Sequence, residues 1–544
     1  MKKLKLQLTE VLSATISTLS FPNKLFSLTP PKNHDFGDLS SNLALLLAKD
    51  LKKSPMEIGQ NIINELNQNL PTYISDISIT EPGFINFKLK ISFYQSRIKE
   101  ILEKGNRYGK GNNGNGKTAN VEFVSANPTG PLTVGHGRNA VLGDTVSNIL
   151  EWQGYDVTRE YYFNDAGRQM RILGESVEAN YMAILDKDFD FPENGYQGEY
   201  IKDISKKIID EKGVNLNNGD QNFKDYAEKI IFDDIKNSLI NLGIDFDCFT
   251  NEKQFYENGA IDILINELRN QDLIYEKDGA TWFRTTALGK EQDRVYIKNT
   301  GEPTYRVPDT AYHKDKIARK YDKIIDIFGS DHADTYPDVL LALEALGFKT
   351  DHIKVLIYQF VTLLRSGKKV KMSTRKANFV TLDELVNEVG TDVVRYFFIM
   401  RSMNTHLDFD LDLATDHSDK NPVFYLQYAY ARICNIIKHG EQSGHKLDLN
   451  FDSSLLNHKD EIKLIHHMIR FPENMDFAYE NLEPQIIANY LQDLATLFHK
   501  FYNRCRVITD DVNLSNSRLA LISTIKIILE NGLNVLGIST PERM

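Results

Sequence analysis

A chain of 544 residues exceeds what one hydrophobic core supports, about 250 to 300 residues, so several domains are expected. With 41% hydrophobic and 26% charged residues, and no apolar run near the roughly 20 residues a bilayer requires, the composition excludes a membrane-spanning chain and fits a soluble one. The net charge of −11 counts against bulk attraction to nucleic acid, so a phosphate-bearing partner must be met by local basic patches.

The opening residues, Met1 to Leu19, mix lysines with Glu10 and space their apolar residues, so no export signal is expected. Asp38 has the chemistry of a helix N-cap, and Leu39, Leu43, Leu46, Leu47 and Leu51 follow at helical spacing. The first hundred or so residues, to about 112, read as a small α+β unit. Gly105 to Gly116 holds five glycines and four asparagines in twelve residues, which predicts a flexible connection and a domain boundary. Asn120 to Ser125 then reads as a buried strand. Asn127-Pro-Thr-Gly-Pro131 reads as a turn, Leu142, Val146, Ile149 and Leu150 mark a helix, and Val157 to Phe163 reads as a second strand. That order builds a parallel, nucleotide-binding α/β sheet, here placed at residues 119 to 415. A polar, helix-rich stretch from about 170 to 290 reads as one insertion into that domain, before Tyr305 and Ile324 to Phe328 resume the pattern. From 416 to 544 apolar positions recur at helical spacing, as in Ile487, Leu491, Leu494 and Phe498, which predicts an all-α bundle. Cys248, Cys434 and Cys505 form no CxxC pair, which argues against a disulfide framework and against zinc, and favours a reducing, cytoplasmic setting.

Two segments carry chemistry. Pro131-Leu-Thr-Val-Gly-His-Gly-Arg138 sits where a strand meets a helix, and helix N-termini attract phosphate. His136 can donate to a phosphate oxygen there, and Gly135 lets a nucleotide lie against the turn. Far downstream, Arg365 to Lys376 places six basic residues within twelve, enough charge to hold a triphosphate.

Thr133-Val-Gly-His136 resembles the HIGH motif of class I aminoacyl-tRNA synthetases, and Lys371-Met-Ser-Thr-Arg375 resembles their KMSKS motif. Five further segments resemble one family, the arginyl-tRNA synthetases: Val121 to Pro131, Tyr161 to Gly167, Gly329-Ser-Asp-His332, Gln427 to Arg432 and Ser539 to Met544. Phe36 to Leu43 extends the match to the first domain. The resemblance implies a Rossmann-like catalytic sheet with an insertion, flanked by an N-terminal α+β domain that touches the tRNA elbow and a C-terminal anticodon-binding bundle.

It also implies roles. Glu122, Ser125 and Asn127 contact the amino acid, and Tyr305 and Asp309 complete a guanidinium site. Thr133, Gly135, His136, Asp331, Lys371, Ser373 and Arg375 serve ATP and its Mg²⁺. Gln427, Tyr428, Arg432, Tyr502 and Arg506 contact tRNA, with unpaired bases stacking on the rings. The expected partners are L-arginine, ATP and tRNA(Arg), the expected state is a monomer, and adenylate formation is expected to require bound tRNA. Thr133 and Thr374 depart from the motifs, since the first histidine of HIGH and the second lysine of KMSKS are absent.

Overall fold

The computed structural model describes residues 2–31, 33, 36–165, 167–187, 189–214, 216, 222–370 and 380–544. At its centre five parallel strands lie in the order Ile353–Tyr358, Lys323–Gly329, Thr118–Glu122, Asp156–Phe163 and Cys248–Asn251. The chain first builds outward from Thr118–Glu122 on one side and then fills the other. The order therefore reverses between Thr118–Glu122 and Lys323–Gly329, and a crevice opens beyond their carboxyl ends, where such sheets bind ligands. The helix Val134–Trp152 packs on one face, closely enough that a Cβ on Gly143 would enter the Phe123 ring. The helix Arg306–Ala318 crosses the other face.

The stretch expected as one insertion is two separate additions. Its middle, Cys248–Asn251, is the edge strand of the parallel sheet, with Tyr161 in register with Phe249. Helices Gly167–Ile184, Glu199–Lys212 and Asn222–Asn241 precede that strand, and a three-stranded antiparallel sheet, including Ala280–Phe283, follows it. Four residues are too few to show a period, which is why the strand was hidden in the sequence.

The N-terminal unit is α+β, with a four-stranded antiparallel sheet. The helix expected from Asp38 begins at Leu43, with Asn42 rather than Asp38 at its N-cap position. Leu39–Ser41 pairs as a strand with Ile85 to Phe87, and the Asp38 carboxylate instead accepts from Leu89 N at 2.7 Å. Five helices from Pro422–Gln442 to Val512–Val535 make the C-terminal bundle. One apolar core runs through the N-terminal unit, the Val134–Trp152 face of the sheet and the bundle.

Residues 105–116 do not form the flexible connection their composition suggests. Asn531 Nδ2 donates to Gly105 O at 3.1 Å and to Tyr108 O at 3.0 Å, and the buried Tyr108 ring reaches Met468 O. The amides of Gly111, Gly114 and Gly116 bond to the carbonyls of Trp152, Gln153 and Gly154. A Cβ on Gly111 would fall inside the Gln153 side chain, so this glycine serves close packing. Gly111→Ala should therefore cost about 1 to 3 kcal/mol of stability and lower the thermal midpoint. An unchanged melting curve would restore the flexible-connection reading.

Candidate active site

Across three neighbouring strands, Asp326 is in register with Glu122 and Glu122 with Glu160, so three carboxylates stand in a row on one buried face. Burying them requires cations and hydrogen bonds, since an uncompensated buried charge costs several kcal/mol by order of magnitude (roughly 3 to 5). The helix Arg306–Ala318 supplies these. Asp309, His313 and Lys316, spaced i, i+4 and i+7, share its inner stripe. Lys316 Nζ, fully buried, donates to Glu122 Oε2 and to Asp326 Oδ1, the latter at 2.6 Å. Arg319 chelates Glu160 with two N–H groups at 2.9 and 3.0 Å, and Asn120 Nδ2 and Thr250 Oγ1 also donate to that carboxylate. His313 places both ring nitrogens against oxygen acceptors, Asp309 O at 2.8 Å and Asp326 Oδ2 at 3.0 Å, an arrangement the imidazolium satisfies. Burial lowers its pKa, but Asp326 outweighs burial and the net shift is upward.

Asp309 differs from the row. Its carboxylate makes no hydrogen bond among the described residues, and it borders a cleft with His313, Phe328, His332 and Tyr336. Burial and the nearby charges of Glu122 and Glu252 push its pKa up to about 7, against the opposing pull of His313 and Lys316. Glu252 is itself buried and held by Tyr162 OH at 3.0 Å and Asn164 Nδ2 at 2.7 Å. Here Glu122, Glu160, Glu252, Asp309 and Asp326 outnumber the cations Lys316, Arg319 and His313, which suits the site to one more cation.

Beyond the central strand the chain turns sharply. Val124 and Ser125 have φ of 66° and 45°, a left-handed conformation that is rare for a β-branched residue. Neighbours hold it there: Asn139 Oδ1 accepts from Val124 N at 3.1 Å, and Ser125 Oγ accepts from Tyr162 N at 3.2 Å while donating to Glu122 Oε1 at 2.9 Å. Asn127 Oδ1 accepts from Asn164 N, Tyr161 OH donates to Ala126 O, and Tyr200 OH donates to Thr129 O.

Thr133 is the N-cap of Val134–Trp152, and its backbone N–H donates to His136 Nδ1 at 3.2 Å. That bond leaves the ring proton on Nε2. Burial pulls the His136 pKa down to about 4, so the ring is neutral at pH 7 with one N–H to offer. At Gly135 a Cβ would meet nothing nearer than Thr133 Oγ1 at 3.7 Å, so space beside the turn is open. Asp331 folds back over Gly329, where a Cβ would lie 2.5 Å from Asp331 Oδ1, and its charge reaches His136. Lys371, Ser373, Thr374, Arg375 and Lys376 lie outside the described residues. Beyond them, Thr381 bridges to Thr133, and Leu382 N donates to Leu132 O at 2.8 Å.

Tyr305 is 66% exposed at the head of its helix. The start of that helix is fixed by Asp338, which accepts from Arg306 Nε at 2.8 Å and lies 3.2 Å from Arg294 Nε. In the bundle, Tyr428, Arg432, Tyr502 and Arg506 line one cavity of about 850 Å³ together with Met544. The Arg432 guanidinium lies over the rings of Tyr428 and Tyr502, 4.4 and 4.7 Å from their centroids. Tyr430 is core. Gln427 points elsewhere, with Nε2 donating to Asp392 Oδ2 at 2.7 Å and to Ser539 O at 3.1 Å. Sequence reasoning missed Lys316, Asp326, Glu160 and Glu252. The first was legible as the third member of the stripe Asp309, His313, Lys316, and Asp326 as a lone acid within an apolar strand, whereas Glu160 sits in a polar stretch that gives no such signal.

Three family descriptions match the chain: "Arginyl tRNA synthetase N terminal domain" at residues 2–89, "tRNA synthetases class I (R), catalytic domain" at 97–396, and "DALR anticodon binding domain" at 426–544. An arginine–tRNA ligase of Salinibacter ruber is 47% identical over 536 residues, 95% of each chain. One of Desulfotalea psychrophila is 47% identical over 526 residues, again 95% of each. The solved arginyl-tRNA synthetase of Thermus thermophilus shares the fold, with a TM-score of 0.78 at 21% identity, over 99% of this chain and all of that one.

Proposed function

We propose a division of labour among these residues from the premise that the chain belongs to the arginyl-tRNA synthetase family. It attaches arginine to tRNA, and its catalytic domain is of class I. In that family the amino acid passes through an adenylate.

The observation that carries the reading is Asp309, a carboxylate without a hydrogen bond among the described residues, beside a row of acids at the carboxyl end of the sheet. A guanidinium is planar, permanently charged and a multiple donor, so it is matched by carboxylates held apart and aimed together. Asp309 and Glu122 take this cation, Ser125 and Asn127 hold the amino acid along the strained turn, and Tyr305 closes over it from the helix head. ATP, with the Mg²⁺ it carries, lies against the open turn at Gly135. Its phosphates take donors from His136 Nε2–H and the hydroxyl of Thr133, and from Lys371, Ser373 and Arg375. Asp331 holds the nucleoside end.

An arginine carboxylate oxygen then attacks the α-phosphorus and the bond to pyrophosphate breaks. The attacking group is already ionised, so the step needs positioning and charge stabilisation rather than a base. The ribose hydroxyl of the tRNA end next takes the arginyl group and releases AMP. The groove of Tyr428, Arg432, Tyr502 and Arg506 holds unpaired bases of tRNA(Arg), while Gln427 ties the C-terminal tail to Asp392. The chain acts as a monomer in the cytoplasm.

Asp309→Asn should raise the arginine KM roughly ten- to a hundredfold, the worth of a charged hydrogen bond of about 1.5 to 3 kcal/mol, with the ATP KM nearly unchanged. Asp309 must be ionised to accept the guanidinium, and its pKa is raised to about 7. In the wild type, log(1/KM) for arginine should therefore climb with a slope of about one below pH 7 and level off above it. The asparagine variant should lose that slope. Equal effects on both substrates would sink the assignment.

For Thr133, the hydroxyl proton is read as a phosphate donor, while the hydroxyl oxygen faces the first turn of its helix in a capping box with His136. Thr133→Val should lower kcat by about tenfold while the ATP KM moves less, and Thr133→Ser should keep wild-type turnover. A valine variant that turns over normally but melts earlier would make Thr133 a cap alone.

Arg432→Ala should raise the tRNA KM by about tenfold or more, on the scale of one lost stacking or cationic contact, and leave the arginine and ATP constants in place. A shift in the amino-acid constants instead would remove the groove from tRNA binding.

A further inference from the structure

Lys316 takes no part in the reactions described above, although it is fully buried at the middle of the carboxylate row. We infer that Lys316 is a built-in counter-cation that keeps Glu122 ionised and aimed, a positioning residue for arginine binding that never touches arginine itself. This rests on the reading that Glu122 and Asp309 hold the guanidinium.

The geometry accounts for each of the three N–H donors of the ammonium. One goes to Glu122 Oε2, one to Asp326 Oδ1 at 2.6 Å, and the third faces the Tyr312 ring, whose centroid is 4.3 Å from Nζ. No donor remains for a ligand, so any effect of Lys316 on arginine passes through the carboxylates. Glu122 has Lys316 on one oxygen and Ser125 Oγ on the other, and each oxygen keeps a second acceptor site for a guanidinium N–H.

Consider Glu122 without this cation. It would be a buried carboxyl with Asp326 and Glu160 on the neighbouring strands and Asp309 and Glu252 close by. The other cations facing the row are already committed, Arg319 to Glu160 and His313 to Asp326, while Asn120, Thr250 and Tyr162 are neutral. Burial and the charge of Asp326 raise the Glu122 pKa even beside Lys316 and His313, whose charges pull it down, so losing Lys316 moves this carboxyl further toward its protonated form. A protonated carboxyl offers a guanidinium no charge and one acceptor fewer.

The test is the pH dependence of the arginine KM in complete aminoacylation, from pH 6 to 8. The proteins compared are wild type, Lys316→Met, Asp309→Asn, and the double variant Lys316→Met with Asp326→Asn. The double variant removes one positive and one negative charge together, so the interior keeps its balance while Glu122 still lacks its cation. Wild type should show a slope of about one in log(1/KM) below pH 7, from Asp309, and a plateau above it. Both Lys316 variants should approach a slope of two, with arginine KM at pH 6.5 raised at least about tenfold and ATP KM within about twofold. A folded double variant with a slope of one and a near-wild-type arginine KM overturns the inference. So does a double variant that fails to fold, because Lys316 would then be a structural tie first. If Asp309→Asn shifts the ATP and arginine constants equally, the guanidinium reading itself falls. If Asp309→Asn acts on arginine alone while the Lys316 variants keep a slope of one, only the role of Lys316 falls.

Discussion

Three carboxylates side by side in the interior of a parallel sheet are the constraint from which the catalytic half follows. Parallel register brings Asp326, Glu122 and Glu160 level with one another, and a sheet face closed to water cannot hold them unpaired. The helix laid across that face is therefore not a generic apolar helix. It must bring Lys316 and His313, with Arg319 just past its end, and it seals the row from water with Tyr312, which stacks on Tyr162 at 4.3 Å between centroids. These ion pairs anchor its far end, and the pairing of Arg306 with Asp338 fixes its first turn. Asp309 lies there, seven residues before Lys316, with its carboxylate toward the cleft. Charge compensation in the interior and charge offered to a substrate are thus two ends of one rigid element.

The adjoining turn is explained by the same crowding. The chain leaves the central strand at Glu122 and must reach the helix beginning at Val134 on the opposite face, and it does so through Val124 and Ser125 in left-handed geometry. That conformation costs of order 1 to 3 kcal/mol per residue and survives because its surroundings over-determine it. Asn139, Tyr162, Asn164, Tyr161 and Tyr200 each bond to the turn, so the strain is carried by neighbours from three separate segments. What the strain secures is placement, with Ser125 Oγ on Glu122 and an open space at Gly135.

Much of this was legible in the sequence, and the parts that were not share a cause. Strand-turn-helix periodicity around Asn120 to Leu150 is a local pattern, whereas Glu122 and Asp309 stand out through the family resemblance rather than through spacing. The glycines from 105 to 116 looked like slack because composition is local too, whereas their use depends on Gln153 and Asn531, distant in sequence. Asp38 carries an N-cap side chain, but it spends it on Leu89, which only the sheet pairing brings near. Gln427 sits beside two aromatic residues and was read with them, yet helical geometry turns it toward Asp392 and Ser539. In each instance the residue type was read correctly for what it can do, and the fold decided for whom.

The last of those contacts belongs to a larger junction that sets how the bundle relates to the turn at Thr133 and His136. Arg395, almost wholly buried, donates to Asp144 Oδ2 at 2.5 Å on the helix Val134–Trp152, to Leu242 O at 3.0 Å, and to Leu536 O at 3.1 Å at the end of the last helix of the bundle. Asn148, one turn along from Asp144, reaches Val535 O at 3.1 Å, and Gly537 leaves room that a Cβ would deny to the Arg395 guanidinium. Asp144 also receives Arg159 Nε at 3.2 Å from the neighbouring strand, so one carboxylate is shared by two arginines. A charge so placed cannot be removed cheaply, since the buried Arg395 would lose its carboxylate partner while Arg159 kept only Glu151. The consequence is mechanical. The helix whose first turn meets the proposed nucleotide site and the bundle that carries the proposed tRNA groove are joined through a desolvated, multiply bonded hub. The distance between the two proposed sites is therefore set by packing.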